Sequence, residues 1–431
     1  MLLMSHGEGT PWKATMSELI NNREHRIATL KEIILHLHRG EAPDQVRGRL
    51  ADLIGEVEAG EIAAMEQSLM ADGMSPQEVK SMCDLHAEVL QDTMAKPRAP
   101  RQLPAGHPVE TLRRENRALE GALATAREQI KPLEALEDGV YPTEERLAVL
   151  GAFNVLMDVE KHYQRKENLV FSVLERHGTT GPSKVMWAKD DEVRELLKGA
   201  IQVLREEHLS GAELKILTPT VLKPALAALE SMIYKEENIL LPMTLEMFTE
   251  EEWGEIWRDS SRYGWCLVEP GTDYMAPEPK VPESPIQLPV ASAVAFPSGS
   301  LNFQQLIGIF SALPVDITFV DAEDRVAFFS EGPDRVFARS RTILGREVKH
   351  CHPPKSVDVV ERILGDFKAG RQSVAEFWIQ MQGKFVHIRY FAVRDEAGAY
   401  LGTLEVTQDL TRLRALEGDR RLLEYDAPAQ A

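Results

Sequence analysis

A chain of 431 residues is too long for one ordinary hydrophobic core, so several domains are expected. A formal charge of -19 argues against a nucleic-acid binder held by phosphate contacts. Three widely spaced cysteines, Cys83, Cys266 and Cys351, make no disulfide framework and suit a reducing cytoplasm.

The N-terminus, MLLMSHGEGTPWK, lacks the apolar core of a signal peptide. No run of about 18 apolar residues stands out as a membrane span, so a cytoplasmic protein is expected. Residues 17–95 read as an all-helical domain. Ile27, Leu30, Ile33, Ile34 and Leu37 repeat at helical spacing before Gly40, and Gly73 and Ser75 end and begin later helices. Within CDLH, Cys83 and His86 share one helical face. A packed cysteine beside a polar histidine explains that pair more often than a metal or redox site does. His25, His36 and His38 have no spacing that ties them to it.

Residues 96–106 are proline-rich and basic and read as a linker. Four long helical patterns follow, at 109–136, 143–177, 187–208 and 221–248. Mostly short connections between them imply a four-helix bundle spanning 107–262. Residues 263–300, with APEPKVPESPIQLP, read as a second linker. The last part, 301–424, alternates differently. A helix, two short strands, helices and three further strands point to an α+β domain with a five-stranded antiparallel sheet, closed by a charged helix.

Counting by three and four along the second bundle helix puts Leu156, Glu160, Tyr163, Glu167, Val170 and Leu174 on one line, with His162 beside it. The first helix brings Asn116 into its apolar line, with Glu115 adjacent; the third brings Asp190 and the fourth Glu236. At about 3.6 residues per turn these polar groups fall in the same half of the bundle, near His107, Glu110 and His177. Buried acids need a partner or a metal. Two readings stay open from spacing: a non-haem di-iron site, or a buried ion-pair network using Lys161, Arg165 and Lys166.

The strings LKEIILHLHRG and MCDLHAEVL, then GHPVETLRRENRALE, KHYQRKENLVF, GPSKVMWAKDDEVRELLK and MIYKEENILLPM, then LPVDITFVDAEDRVAFFSEG, CHPPKSV and FWIQMQGKFVHIRYFAVRDEAGAYLGTLEVTQD resemble a bacterial and archaeal three-module family. Its members join an uncharacterised helical domain, a hemerythrin-like (HHE cation-binding) domain and a PAS sensor domain. The resemblance implies a di-iron site in the bundle, with His107, Glu110, His162, Glu167, Asp190 and Glu236 as candidate ligands. The chain departs from that pattern: Glu110 stands where a histidine is expected, Lys166 holds the position four after His162, and Met232 precedes Glu236. The donor set is poorer in imidazole than that of an oxygen carrier, which points away from oxygen storage.

For the PAS module the resemblance implies a small-molecule, gas or redox input. His350, Cys351 and His352 are its candidate ligand-binding residues; haem or metal ligation is one reading, and a rigid loop held by Pro353 and Pro354 the commoner one. No kinase, cyclase or DNA-binding segment follows, so output is expected to pass to a protein partner, with homodimerisation through the PAS module and flanking helices. The leading expectation is a cytoplasmic sensor of oxygen, nitric oxide or redox state. The rivals are a di-iron redox or iron–sulfur-repair enzyme and a metal-free scaffold.

Overall fold

The computed structural model describes residues 102–278, 293–332, 335–381 and 383–419, with short stretches between 27 and 78. The chain divides into two compact units, Met1–Pro279 and Lys280–Ala431. In the first module, Leu30, Met65 and Leu69 are buried, and Lys31 Nζ donates to Ser68 Oγ at 2.8 Å. Gly73, at φ +96, takes the left-handed conformation expected just past a helix end. His25, His36, His38, Cys83 and His86 lie outside the described residues.

Helix α1, Pro108–Glu134, opens where His107 Nδ1 accepts from the Val109 N–H at 3.1 Å, with Pro108 in the first turn. Its buried Val109, Leu112, Asn116, Leu119, Leu123, Ala126 and Ile130 are the line read from the sequence. The second long run comprises α2 (Thr143–Leu156), α3 (Val159–Arg165), a π-helical turn (Lys166–Val170) and α4 (Phe171–Arg176). Helix α5, Gly181–Leu204, starts before the expected Trp187 because Pro182 fits a first helical turn, where no N–H partner is needed. The fourth run is α6 (Gly211–Leu217), a π turn (Thr218–Leu222), α7 (Lys223–Lys235), a second π turn (Glu236–Leu240) and α8 (Leu241–Met247). It begins ten residues earlier than the sequence suggested, at a capping box of Ser210 and Glu213.

By length and hydropathy Gly211–Met247 could cross a membrane. Its Leu222, Leu226, Leu229, Ile233 and Leu240 are part of the bundle core. Helix α9, Glu250–Ser260, adds Trp253 and Ile256 to the same core.

The segment expected to start the second linker at 263 belongs to the bundle as far as 278. Tyr263, Cys266 and Tyr274 are core residues. Its irregular backbone is satisfied by other groups, which periodicity does not reveal: the Leu267 N–H donates to Asp158 Oδ2 at 2.8 Å, and the Asp273 and Tyr274 N–H groups donate to Ala105 O. Gly106, at φ +94, permits this approach; a Cβ there would meet Gly271 O at 2.1 Å.

The described part of the second unit starts with a hairpin, β1 (Ala293–Phe296) and β2 (Gly299–Asn302), which straddles the end of the segment read as linker at 300. Helix α10, Phe303–Ala312, follows from a capping box of Asn302 and Gln305. Strands β3 (Asp316–Asp321), β4 (Val326–Phe329), β5 (Val374–Met381), β6 (Lys384–Arg394) and β7 (Tyr400–Asp409) form the expected antiparallel sheet in the order β4-β3-β7-β6-β5. Helix α11, Pro354–Lys368, covers one face, with Leu364 packed on Val320, Val326 and Phe329. The described part of the closing helix is one turn, α12, Thr411–Arg414.

Candidate functional site

Four helical runs deliver charged side chains to one fully buried network. On α3, His162 is held between two carboxylates: Nδ1 is 2.8 Å from Glu115 Oε2 and Nε2 is 2.8 Å from Glu236 Oε2. Glu115 also accepts from the Arg165 guanidinium and, through Oε1, from the Cys266 N–H at 2.8 Å. The Lys166 ammonium donates to Glu236 Oε1 and, at 2.8 Å, to Asp190 Oδ1. It also sits 4.1 Å from the Tyr163 ring centroid, within cation–π range. One step further out, Arg194 grips Glu167 with two bonds of 2.7 and 2.9 Å and reaches Glu160 Oε2 at 2.6 Å.

The π turns explain how adjacent residues share this interior. An α-helix carries neighbours about 100° apart, so Lys166 and Glu167 would diverge; the wider turn beginning at Lys166 leaves both buried. A second such turn begins opposite at Glu236, in a similar sequence (Lys-Glu-Asn at 166–168, Glu-Glu-Asn at 236–238); there Glu236 is buried and Glu237 half-buried.

Burial alone would strip these groups of charge; it pushes Glu167 well above the usual carboxylate range despite Arg194, while at the centre the partners offset it. For His162 burial is the largest influence and pulls its pKa down, but Glu236 and Glu115 overcome it and raise it to about 9. Burial pushes Glu236 upward, and Lys166 and His162 outweigh that, lowering it to about 2. Glu115 is likewise held below the usual carboxylate range by His162 and Arg165 against burial. Asp190 is pushed up by burial to about 6, with Lys166 and Arg194 limiting the rise. At neutral pH the centre therefore pairs three carboxylates, Glu115, Asp190 and Glu236, with three cations, His162, Arg165 and Lys166.

In the second unit, the Val348–Cys351 turn carries His350 and Cys351 just ahead of His352. Cys351 Sγ approaches Glu347 O at 3.9 Å and packs beside the PAS-like core. His352 Nδ1 lies 2.8 Å from Val348 O, so that nitrogen carries the proton and Nε2 is an acceptor. Burial lowers the His352 pKa, keeping the ring neutral.

Three family matches tile the chain: residues 30–96 match a family of unknown function (DUF438), 107–244 the hemerythrin HHE cation binding domain, and 306–411 a PAS domain. The chain belongs to the three-module DUF438–hemerythrin–PAS family. Among solved structures it is similar to the C-terminal domain of a Streptococcus mutans protein, at 34% identity over 30% of this chain and 99% of that one, with a TM-score of 0.29. It is also similar to a PAS domain from Colwellia psychrerythraea (13% identity, 25% of this chain and 97% of that one, TM-score 0.21) and to a sensory box sensor histidine kinase from Vibrio cholerae (15%, 25% and 90%, TM-score 0.20). No curated protein matches it. The hemerythrin and PAS assignments support a sensory role.

The hemerythrin assignment implies a cation site, and these residues do not fit a di-iron centre. A ligating imidazole needs one nitrogen for the metal, and both nitrogens of His162 face carboxylates. Lys166 is paired with both Asp190 and Glu236, two of the candidate ligands. Buried side-chain oxygens without a partner on these helices include Asp190 Oδ2, Asn116 Oδ1 and the Tyr163 hydroxyl, a poor set for iron. Among the described residues no group of three or more His, Cys, Asp or Glu is arranged to hold a metal ion. A di-iron redox or repair activity would need the same donors, and they are committed to one another.

Of the candidate ligands, the structure brings His162, Glu167, Asp190 and Glu236 into the network. His107 instead caps α1 and packs its ring on Trp253 and Tyr274, with centroids 5.1 and 4.8 Å away. Glu110 accepts from the Gly106 N–H at 2.9 Å. Lys161, counted with the network from sequence, pairs at the surface with Asp158. Glu115 and Arg194 are the residues that spacing did not select. Glu115 lies one position off the counted line, but it is fully buried because α9 and the 263–278 segment widen the covered face of α1.

Proposed function

We propose that the protein is a sensor in which the PAS module receives a small-molecule signal and the hemerythrin-like bundle serves, without metal, as an ion-locked scaffold. One observation carries this reading: the Lys166 ammonium is buried and bonded to both Glu236 and Asp190, two of the residues that would have to hold a metal ion. A tethered cation neutralises the carboxylates permanently, so the bundle needs no metal to fold.

Output passes to a protein partner, and a second copy pairs through the PAS unit. Support for pairing is the apolar helix α10, none of whose residues is buried; Phe303 and Ile307 are 56% and 49% exposed. Cys266 and Cys351, neither in a disulfide, suit a cytoplasmic setting. The test is anaerobic titration of the full chain with Fe²⁺ and Co²⁺. We expect no rise in Tm and no Co²⁺ absorption bands; saturation at a fixed stoichiometry with a rise in Tm would overturn the metal-free reading.

A further inference from the structure

The bundle carries a groove that the charged network does not use. It lies between α2 and α5, has a volume of about 530 Å³, and is lined by Asn154, Met157, Lys198, Ile201, Gln202 and Arg205. Small-molecule sites run from ~300 to 1,000 Å³, so its size suits such a ligand. The deeper part is apolar, with Ile201 7% exposed and Met157 half-buried. The other four lining residues are polar and exposed.

No acid lines the groove, and both of its charges are positive. Among the described residues neither Lys198 nor Arg205 has a hydrogen bond or an ion pair through its side chain. Elsewhere on the bundle surface Arg127 pairs with Glu230, Lys215 with Asp138 and Lys223 with Glu134. In a chain of net charge -19, two cations left together without an acid stand against the prevailing field. A third cation is held at the same end of α5. Arg146, 6% exposed, donates to Leu204 O and has no carboxylate partner among the described residues. It offsets the negative end of the helix dipole, which would otherwise repel an anion from Arg205.

Spacing then selects the ligand. Lys198 and Arg205 are seven residues apart, two turns along one face of α5, with Ile201 between them. Their backbones are separated by about 10 Å along the axis. A compact anion such as phosphate reaches one of them and leaves Ile201 and Met157 bare. A molecule with an anionic group at each end and an apolar middle meets both cations and covers both apolar side chains. A nucleic acid would need a broad basic face, which two cations do not make.

We propose that the groove binds a linear organic dianion of the dicarboxylate class, one carboxylate on Lys198, the other on Arg205, its carbon chain over Ile201 and Met157. Such an occupant ties α2 to α5, the helix that delivers Asp190 and Arg194 to the network, and gives the bundle an input of its own.

The test uses the full chain, with calorimetry and thermal shift. The probes are linear dicarboxylates from succinate to suberate, monocarboxylates of matching length, and inorganic phosphate. At least one dicarboxylate should bind once per chain and raise Tm, with its monocarboxylate and phosphate at least tenfold weaker. Lys198→Ala and Arg205→Ala, both exposed positions, should each weaken binding at least tenfold and leave the Tm of the unliganded chain unmoved. Lys131→Ala, at an exposed cation on α1, should leave affinity unchanged. Overturning results are no binding by any dicarboxylate, equal binding of the monocarboxylate or of phosphate, or full affinity in both groove variants.

Discussion

At the scale of residues the bundle is governed by Lys166 and His162. Removing one partner of a buried ion pair leaves the other charge stranded, so Lys166→Met should cost about 3–5 kcal/mol in chemical denaturation. Such a variant frees Glu236 and Asp190 for an external cation. Added Mn²⁺ or Zn²⁺ should therefore restore part of its Tm by mass action and leave the unsubstituted chain unmoved. The His162 pKa is raised from 6.5 to about 9, so its contribution is complete below pH 6.5 and lost as pH climbs through 9. That contribution is on the order of 3 kcal/mol. Tm should consequently fall between pH 7 and 10, and His162→Gln, less stable throughout, should show a flatter slope there. Glu236 has the opposite sign: its share is present above pH 4.5 and lost as pH falls toward 2. Helical spacing exposed the acids and His162 as anomalies on an apolar seam. It did not reveal their partners, because Arg194 to Glu167 and Glu115 to His162 are contacts between helices, fixed by packing rather than by spacing.

At the scale of elements the two π turns at Lys166 and Glu236 decide which residues face inward. Each carries an asparagine whose amide donates to the carbonyl four residues back, Asn168 to Gln164 O and Asn238 to Tyr234 O, both at 2.8 Å. Replacing either with Ala should cost about 1 kcal/mol. It should also speed amide exchange in the adjoining turn, as hydrogen-exchange mass spectrometry would show; no change in exchange would mean that the asparagines do not secure the widened turns. Neither π turn was legible in the sequence, since one extra residue per turn barely disturbs an apolar pattern read over a whole helix. The capping box at Ser210 has a local signature too, but the start it marks lies ten residues before the apolar line from which the fourth run was read.

At the scale of the whole molecule, the order of modules and the PAS sheet were legible because periodicity switches from helical to alternating near residue 301. The docked segment 263–278 was not, because its prolines and lack of period mark irregular backbone wherever it lies. In solution the exposed face of α10 predicts a dimer in sedimentation, and Ile307→Glu should shift it toward monomer; a monomeric parent chain would contradict the pairing. The claim on which the rest depends is that Lys166 has taken the metal's place in a hemerythrin bundle. Metal analysis of the full chain, purified anaerobically from iron-replete cells, tests it most directly. The account predicts a folded protein with far less than one iron per chain, whereas about two per chain, the content of a di-iron bundle, would contradict it.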